Sequence, residues 1–222
     1  MNKHLFSSCI LLLAGSLLTV SYAQQTPNIV VNHDLPSYNE IVIKFQTTSE
    51  NIDIDKGNGN IEKIALITLE TNGKWKVVKF SPSGKTIKIY DNGFQKFECM
   101  RGMITSLDVS NCLKLNYLNC AYNSLTELDV TKSADLVILN CAENQLSSIK
   151  LNNNKKLHSI HCDRNNLSKD AIESIYKTLP DRNGMERKGK LAIYRAHRKE
   201  KNSYNASTIA TATAKGWEVI TL

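Results

Sequence analysis

Between Phe94 and Leu167 the apolar positions return with a period of 21 residues. Leu115, Leu118, Cys120 and Leu125 set the frame, with Asn123 at its polar corner. It recurs as Leu136, Leu139, Cys141, Asn144 and Leu146, then as Leu157, Ile160, Cys162, Asn165 and Leu167. An earlier copy is degenerate: Phe94, Phe97, Cys99 and Ile104 are in phase, and Gly102 stands where the asparagine would be. The alternation within each copy, as in Tyr117-Leu118-Asn119, predicts a short strand that turns Leu118 and Cys120 inward and its other side chains outward. A second apolar run predicts another short strand closing each unit: Leu107-Asp108-Val109, Leu128-Asp129-Val130 and Ile149-Lys150-Leu151. Such units stack with equivalent positions about 4.8 Å apart, so inward residues form ladders. The corner asparagine is expected to bond backbone groups that no strand partner reaches.

The flanks follow other patterns. Short alternating strands are predicted at Glu40–Phe45, Ile52–Asp55, Lys63–Thr68, Trp75–Phe80 and Thr86–Tyr90. Turn chemistry divides them at Lys56-Gly57-Asn58-Gly59, Asn72-Gly73 and Ser83-Gly84. They read as a small antiparallel sandwich or curled sheet packed on the first repeat, where a stack of strands needs its raw end covered. After Asn165, Ser168 is placed to cap a helix running to Leu179, with Ala171, Ile172, Ile175, Tyr176 and Leu179 on one face and Pro180 as its stop. A strand at Lys190–Arg195, a helix at Ser207–Lys215 closed by Gly216, and a strand at Trp217–Leu222 complete the prediction.

Residues 1–23 have the pattern of a secretory signal peptide: Lys3 and His4 precede an apolar run from Cys9 to Val20, and Ser21-Tyr22-Ala23 offers small residues for cleavage. The run is too short to span a membrane, and the protein is expected to be exported, whether secreted, periplasmic or at the cell surface. Export places the remaining cysteines in an oxidising compartment. Four of them belong to the ladder, where neighbouring Cβ atoms lie side by side at about strand spacing, beyond disulfide geometry, so free buried thiols are expected. Cys112, at a corner between units, is the cysteine singled out for reactivity. No cysteine or histidine grouping has zinc spacing. Asp53-x-Asp55-x-Gly57 imitates a calcium loop, but Gly57, Asn58 and Ile64 stand at its fifth, sixth and twelfth positions, and a hairpin turn is expected instead. The formal net charge is +7, and Asp181 to Asn202 alone carries eight Lys/Arg against three acids.

The repeat is the leucine-rich-repeat frame, each unit one coil of a parallel-stranded solenoid. The predicted fold is α+β and mostly β: residues 24–92 an N-terminal β-sandwich-like cap, 93–167 a solenoid of about four 21-residue coils, and 168–222 a C-terminal α/β cap continuing it. The Leu-x-x-Leu-x-Cys-x-x-Asn-x-Leu coils with Leu-Asp-Val closures resemble the cysteine-ladder repeats of internalin-J-like bacterial surface proteins. The flanks resemble secreted leucine-rich-repeat proteins of gut and oral anaerobic bacteria. In these an Asp-Trp-Gly-Asp-Gly turn precedes the repeats, here Asp55-Lys56-Gly57-Asn58-Gly59. Leu179-Pro180-Asp181-Arg182 and Lys215-Gly216-Trp217 match the C-terminal cap of that group. The resemblance implies adhesion or protein recognition without catalysis.

Function is sought on the outward columns of the repeat strands. These are Lys96, Tyr117, Ile138 and Ser159; Glu98, Asn119, Asn140 and His161; Met100, Ala121, Ala142 and Asp163; and Arg101, Tyr122, Glu143 and Arg164. Aromatic and arginine anchors mixed with apolar groups have the composition of a recognition surface, so a protein partner on a host or bacterial surface is expected. His161 and Asp163 adjoin, but no nucleophile sits in a matching motif, so neither catalysis, nor a cofactor, nor a metal is expected. The alternative is a binder of anionic polysaccharide or another polyanion through residues 182–201. Nucleic acid is not the expected partner, because only Tyr194 interleaves that stretch with an aromatic platform.

Overall fold

The computed structural model describes residues 26–36, 39–68, 75–91, 93–196, 200–203 and 206–221. The signal peptide expected at 1–23, the turn expected at Asn72-Gly73, and His197, Arg198 and Lys199 of the basic stretch lie outside the described residues. Among those described, the chain is mostly β with few helices.

Seven strands precede the repeats: β1 (Ile29–His33), β2 (Ile41–Gln46), β3 (Asn51–Asp55), β4 (Ile61–Ala65), β5 (Ile67–Thr68), β6 (Lys76–Phe80) and β7 (Thr86–Tyr90). The repeats contribute β8 (Lys96–Glu98), β9 (Ile104–Asp108), β10 (Tyr117–Asn119), β11 (Glu127–Asp129), β12 (Ile138–Asn140), β13 (Ser148–Lys150) and β14 (Ser159–His161). Then follow α1 (Lys169–Thr178), β15 (Gly189–Tyr194), a 3-10 turn at Ala206–Thr208, α2 (Ile209–Thr213) and β16 (Trp217–Thr221). The single helix predicted over Ser207–Lys215 is thus a 3-10 turn leading into a short α-helix. β1 had no counterpart in the sequence reading.

One sheet runs the length of the molecule in the order β16-β15-β14-β12-β10-β8-β2-β6-β5. Its strands from β8 to β16 are parallel, and β2 joins them antiparallel, pairing Phe45 with Phe97. On the other wall β9 pairs antiparallel with β1, at the edge of the sheet β4-β3-β7-β1-β9. The N-terminal strands were expected to pack on the first coil; instead they are hydrogen-bonded into it on both walls. That arrangement satisfies the edge groups of β8 and β9 directly, which packing alone would leave unpaired. Phe45 seals the joint, its ring 5.0 Å from Phe94 and 5.6 Å from Phe97 between centroids.

Inside, Leu118, Leu139 and Ile160 stack in one ladder and Cys99, Cys120, Cys141 and Cys162 in another, all buried. The asparagines form a third. Asn144 Nδ2 donates to the carbonyls of Cys120 at 3.0 Å and Cys141 at 3.1 Å, while its Oδ1 accepts from Leu125 N at 3.0 Å. Asn123 and Asn165 make the equivalent bonds one coil earlier and one later. Asn202 extends the ladder beyond the regular repeat, donating to Cys162 O and Ile193 O and accepting from Leu167 N.

At the C-terminal end Ser168 caps α1, its Oγ accepting from Ala171 N at 3.2 Å, and Ile172, Ile175 and Tyr176 are buried beneath the helix. The two C-terminal motifs meet there. Trp217 Nε1 donates to Pro180 O at 2.8 Å, Lys215 Nζ to Leu179 O at 3.0 Å, and Arg182 N to Lys215 O at 2.8 Å. Gly189 lies against the indole so closely that a Cβ would sit 2.3 Å from a ring carbon.

Candidate functional site

The register of the repeat strands assembles the outward columns. Lys96, Tyr117, Ile138 and Ser159 are direct neighbours across β8, β10, β12 and β14, as are Glu98, Asn119, Asn140 and His161. Beyond β8, β10, β12 and β14 the chain turns through an equivalent residue in the left-handed region: Arg101, Tyr122, Glu143 and Arg164, with φ of 57°, 60°, 55° and 56°, and after β8 Met103 follows at 47°. Side chains with a Cβ lose about 1 kcal/mol or more in that conformation. The stack enforces it, since Tyr122 N donates to Ala142 O and Glu143 N to Asp163 O, each at 3.0 Å. Arg164 has no further coil of the same kind to bond. Its N–H goes to the Glu200 carboxylate at 2.9 Å, which also accepts from the amides of Arg195 and Asn202.

Not every outward position reaches solvent. Asn119 and Asp163 are 6% and 4% exposed, and Ala121 is fully buried, which corrects their assignment to an accessible face. Asn119 is covered because its amide turns sideways, toward Met100 Sδ at 3.1 Å and the Tyr117 hydroxyl at 3.4 Å. Asp163 lies under Arg195, 3.5 Å away. Burial raises the pKa of its carboxyl, and the guanidinium acts against that rise. Glu143 and Arg164 are ion-paired and mostly withdrawn from water. Arg101 and Tyr122 remain exposed, while Lys96, Met100, Tyr117, Ile138, Asn140, Ser159 and His161 are partly so.

The structure adds residues that the repeat pattern did not reveal. Trp75, just ahead of β6, meets Tyr117 edge-on with centroids 5.7 Å apart and planes at 79°. Lys96 Nζ lies 5.8 Å over the Trp75 ring, and Arg101 lies 4.9 Å over that of Tyr122. Lys44 of β2 bonds Glu98 at 2.9 Å. The signal for Trp75 in the sequence was its alternation with Val77 and Lys79, but nothing there said that its strand would continue the repeat sheet.

The other candidates are placed differently. Cys112 is buried, its thiol donates to Asn28 O at 3.3 Å, and burial pushes its pKa up to about 12, so it has none of the exposure or acidity of a reactive cysteine. All five described cysteines are free. Asp55 Oδ1 accepts from Gly57 N and Gly59 N at 2.9 and 3.0 Å, so the calcium-like sequence is an Asx-type hairpin turn. The basic stretch is divided by β15: Arg182 packs beside Lys215, whereas Arg195 reaches Asp163 and Lys201 adjoins Glu200. Among the described residues no group of His, Cys, Asp and Glu could hold a metal ion, and no helix is long and apolar enough to cross a membrane.

No protein-family model matches the chain, and no curated protein matches it. Among solved structures it is similar to the functional domain of InlJ from Listeria monocytogenes, which includes a cysteine ladder. That likeness has 22% identity and a TM-score of 0.38, over 54% of this chain and 24% of that one. It is also similar to an internalin, InlF, from Listeria monocytogenes, at 18% identity and a TM-score of 0.38, over 54% of this chain and 38% of that one. The chain thus spans well under half of either neighbour. These structural neighbours are Listeria internalins, the group whose cysteine-ladder repeats the sequence resembles.

Proposed function

We propose that this chain is an exported, non-catalytic recognition module that binds a protein partner, on a host or bacterial surface, through the strand face running from β6 to β14. In this reading residues 93–167 are a solenoid of about four coils held between caps at 24–92 and 168–222. The observation that carries it is the cluster of Trp75, Tyr117 and Tyr122 with Ile138 and Met100, all half-buried or exposed on one face. Aromatic rings held by their neighbours lose little entropy on binding and supply most of the energy at protein interfaces. The contacts fall on Lys96, Met100, Arg101, Tyr117, Tyr122, Ile138, Asn140, Ser159 and His161, while Glu98, Asn119, Glu143, Asp163 and Arg164 support them from beneath.

Width supports the same reading. Four coils span only about 15 Å, but β2 and β6 widen the face to six strands, about 24 Å across at strand spacing, closer to the span of a standard-size interface. Binding of a polyanion through residues 182–201 would draw on cations that are spread from Arg182 through Lys190 within β15 to Lys201, with Arg195 already paired to Asp163. The test is capture from host or bacterial surface extracts with the wild-type chain and the Tyr117→Ala/Tyr122→Ala variant in parallel, each scored by the partners retained. Partners retained by the wild type should be lost from the variant. Equal recovery of the same partners by both removes the strand face as the site, and recovery that collapses for both with rising salt favours the polyanion reading.

A further inference from the structure

The charges of the strand face are unequally committed. Glu98 is bound by Lys44 at 2.9 Å, Glu143 by Arg164, and Asp163 by Arg195 at 3.5 Å. The side chains of these acids are only 16%, 13% and 5% exposed. Each carboxylate of β8, β10, β12 and β14 and of the turns that follow them is therefore neutralised from within the chain and turned away from water. Two cations on the same face are in the opposite condition. Lys96 and Arg101 have no carboxylate within ion-pair distance among the described residues, and they lie over the rings of Trp75 and Tyr122. A ring face positions a cation while leaving most of its charge uncompensated and its outer N–H groups free to donate. Apolar surface surrounds them: Tyr117 and Ile138 are partly exposed, and Met103 and Tyr122 are 48% and 42% exposed.

Building on the strand-face reading, we propose that the partner presents an acidic polypeptide segment in which carboxylates alternate with apolar side chains. The carboxylates go to Lys96 and Arg101, and the apolar groups rest on Trp75, Tyr117, Ile138 and Tyr122. Arg101 can receive a carboxylate through two parallel N–H bonds, and Lys96 as a point charge. An acidic polysaccharide fits less well. It carries charge at every unit or two and would meet only two free cations between β6 and β14, separated by aromatic and aliphatic groups, with Lys190 further along the sheet on β15. A basic partner finds no free carboxylate on this part of the face. Because all three acids are paired internally, the specificity is also repulsive toward cations, a division of attraction and exclusion that sharpens partner choice.

The proposal is tested with a glutamate–alanine copolymer, polygalacturonate and poly-L-lysine as probes of the full exported chain. The chain has two tryptophans, and Trp217 is 1% exposed, so a change in tryptophan emission reports chiefly on Trp75. The copolymer should shift the emission saturably and bind at least tenfold more tightly than polygalacturonate, and poly-L-lysine should not bind. Lys96→Gln/Arg101→Gln should weaken copolymer binding at least tenfold, and Lys96→Glu/Arg101→Glu should transfer binding to poly-L-lysine. The proposal is overturned by copolymer affinity that ignores both double variants, by absence of copolymer binding, or by tighter binding of polygalacturonate. If surface-extract capture is lost in Tyr117→Ala/Tyr122→Ala but unchanged in Lys96→Gln/Arg101→Gln, the acidic partner class fails and the strand-face reading stands.

Discussion

Asn165 shows how much of the stability of a coil can rest on one amide. It is 1% exposed; its Nδ2 bonds the carbonyls of Cys141, Cys162 and Asp163, and its Oδ1 accepts from Leu146 N at 3.0 Å. No water reaches these groups if the side chain is removed, so each lost bond leaves a buried polar atom without a partner. Asn165→Ala should therefore cost about 2–4 kcal/mol, read from the midpoint and slope of denaturant unfolding. The ladder thiols make a second residue-scale prediction. Burial pushes Cys120 from an ordinary 9.0 to about 12, and raises Cys99, Cys141 and Cys162 as well. Over that interval the folded chain keeps protons that the unfolded chain releases, so this stabilisation is complete below about pH 9 and is lost as pH rises toward the folded value. Unfolding free energy should fall above pH 9, and Cys120→Val should make the decline shallower by up to about 1.4 kcal/mol per pH unit. A variant with the same alkaline slope as wild type would show that this thiol is not the titrating group.

Among elements, the end of the regular repeat is the informative place. Each coil hands its turn amides to carbonyls of the next, and after β14 the next coil is different: β15 is followed by a longer connection before Asn202. Glu200 stands in for the missing carbonyl, accepting from the amides of Arg164, Arg195, Lys201 and Asn202. One carboxylate thereby closes the left-handed turn at Arg164 and seats Asn202 as the last asparagine of the ladder. Glu200→Ala should leave the Arg164 amide unpaired and cost about 1–3 kcal/mol. Hydrogen exchange should locate the effect, with the amides of Arg164, Arg195 and Leu167 losing protection while those of Leu118 and Leu139 keep it. Protection unchanged at Arg164 would mean that the carboxylate is replaceable by solvent.

For the whole molecule, the decisive feature is that both walls pass through the junction between the N-terminal strands and the repeats. β2 pairs with β8 on one wall and β1 with β9 on the other, and Phe45 packs between Phe94 and Phe97. A chain beginning at residue 93 would expose two strand edges and these phenylalanines together. It should be aggregation-prone, in contrast to the chain from Gln24. Light scattering and gel filtration of the two at equal concentration check this. A monomeric, cooperatively folding 93–222 fragment would show that the repeats carry their own end.

The inward pattern of the repeats was legible because it is local and periodic. Leu118, Cys120 and Asn123 recur at fixed spacing, and strand alternation turns that spacing directly into sides of a coil. Ser168 and Pro180 likewise announce α1 by short-range backbone chemistry. What lay beyond reach was contact between segments distant in sequence, for which no period exists. Trp75 joins Tyr117 only because β2 and β6 extend the repeat sheet, and Asn202 joins Asn165 only because the chain returns after β15. Alternation did not reveal accessibility: Asn119 and Asp163 occupy positions the pattern assigns outward and are still covered, by Met100, Tyr117 and Arg195. Alternation decides which side of a strand a residue occupies, whereas burial depends on what else the fold brings to that side.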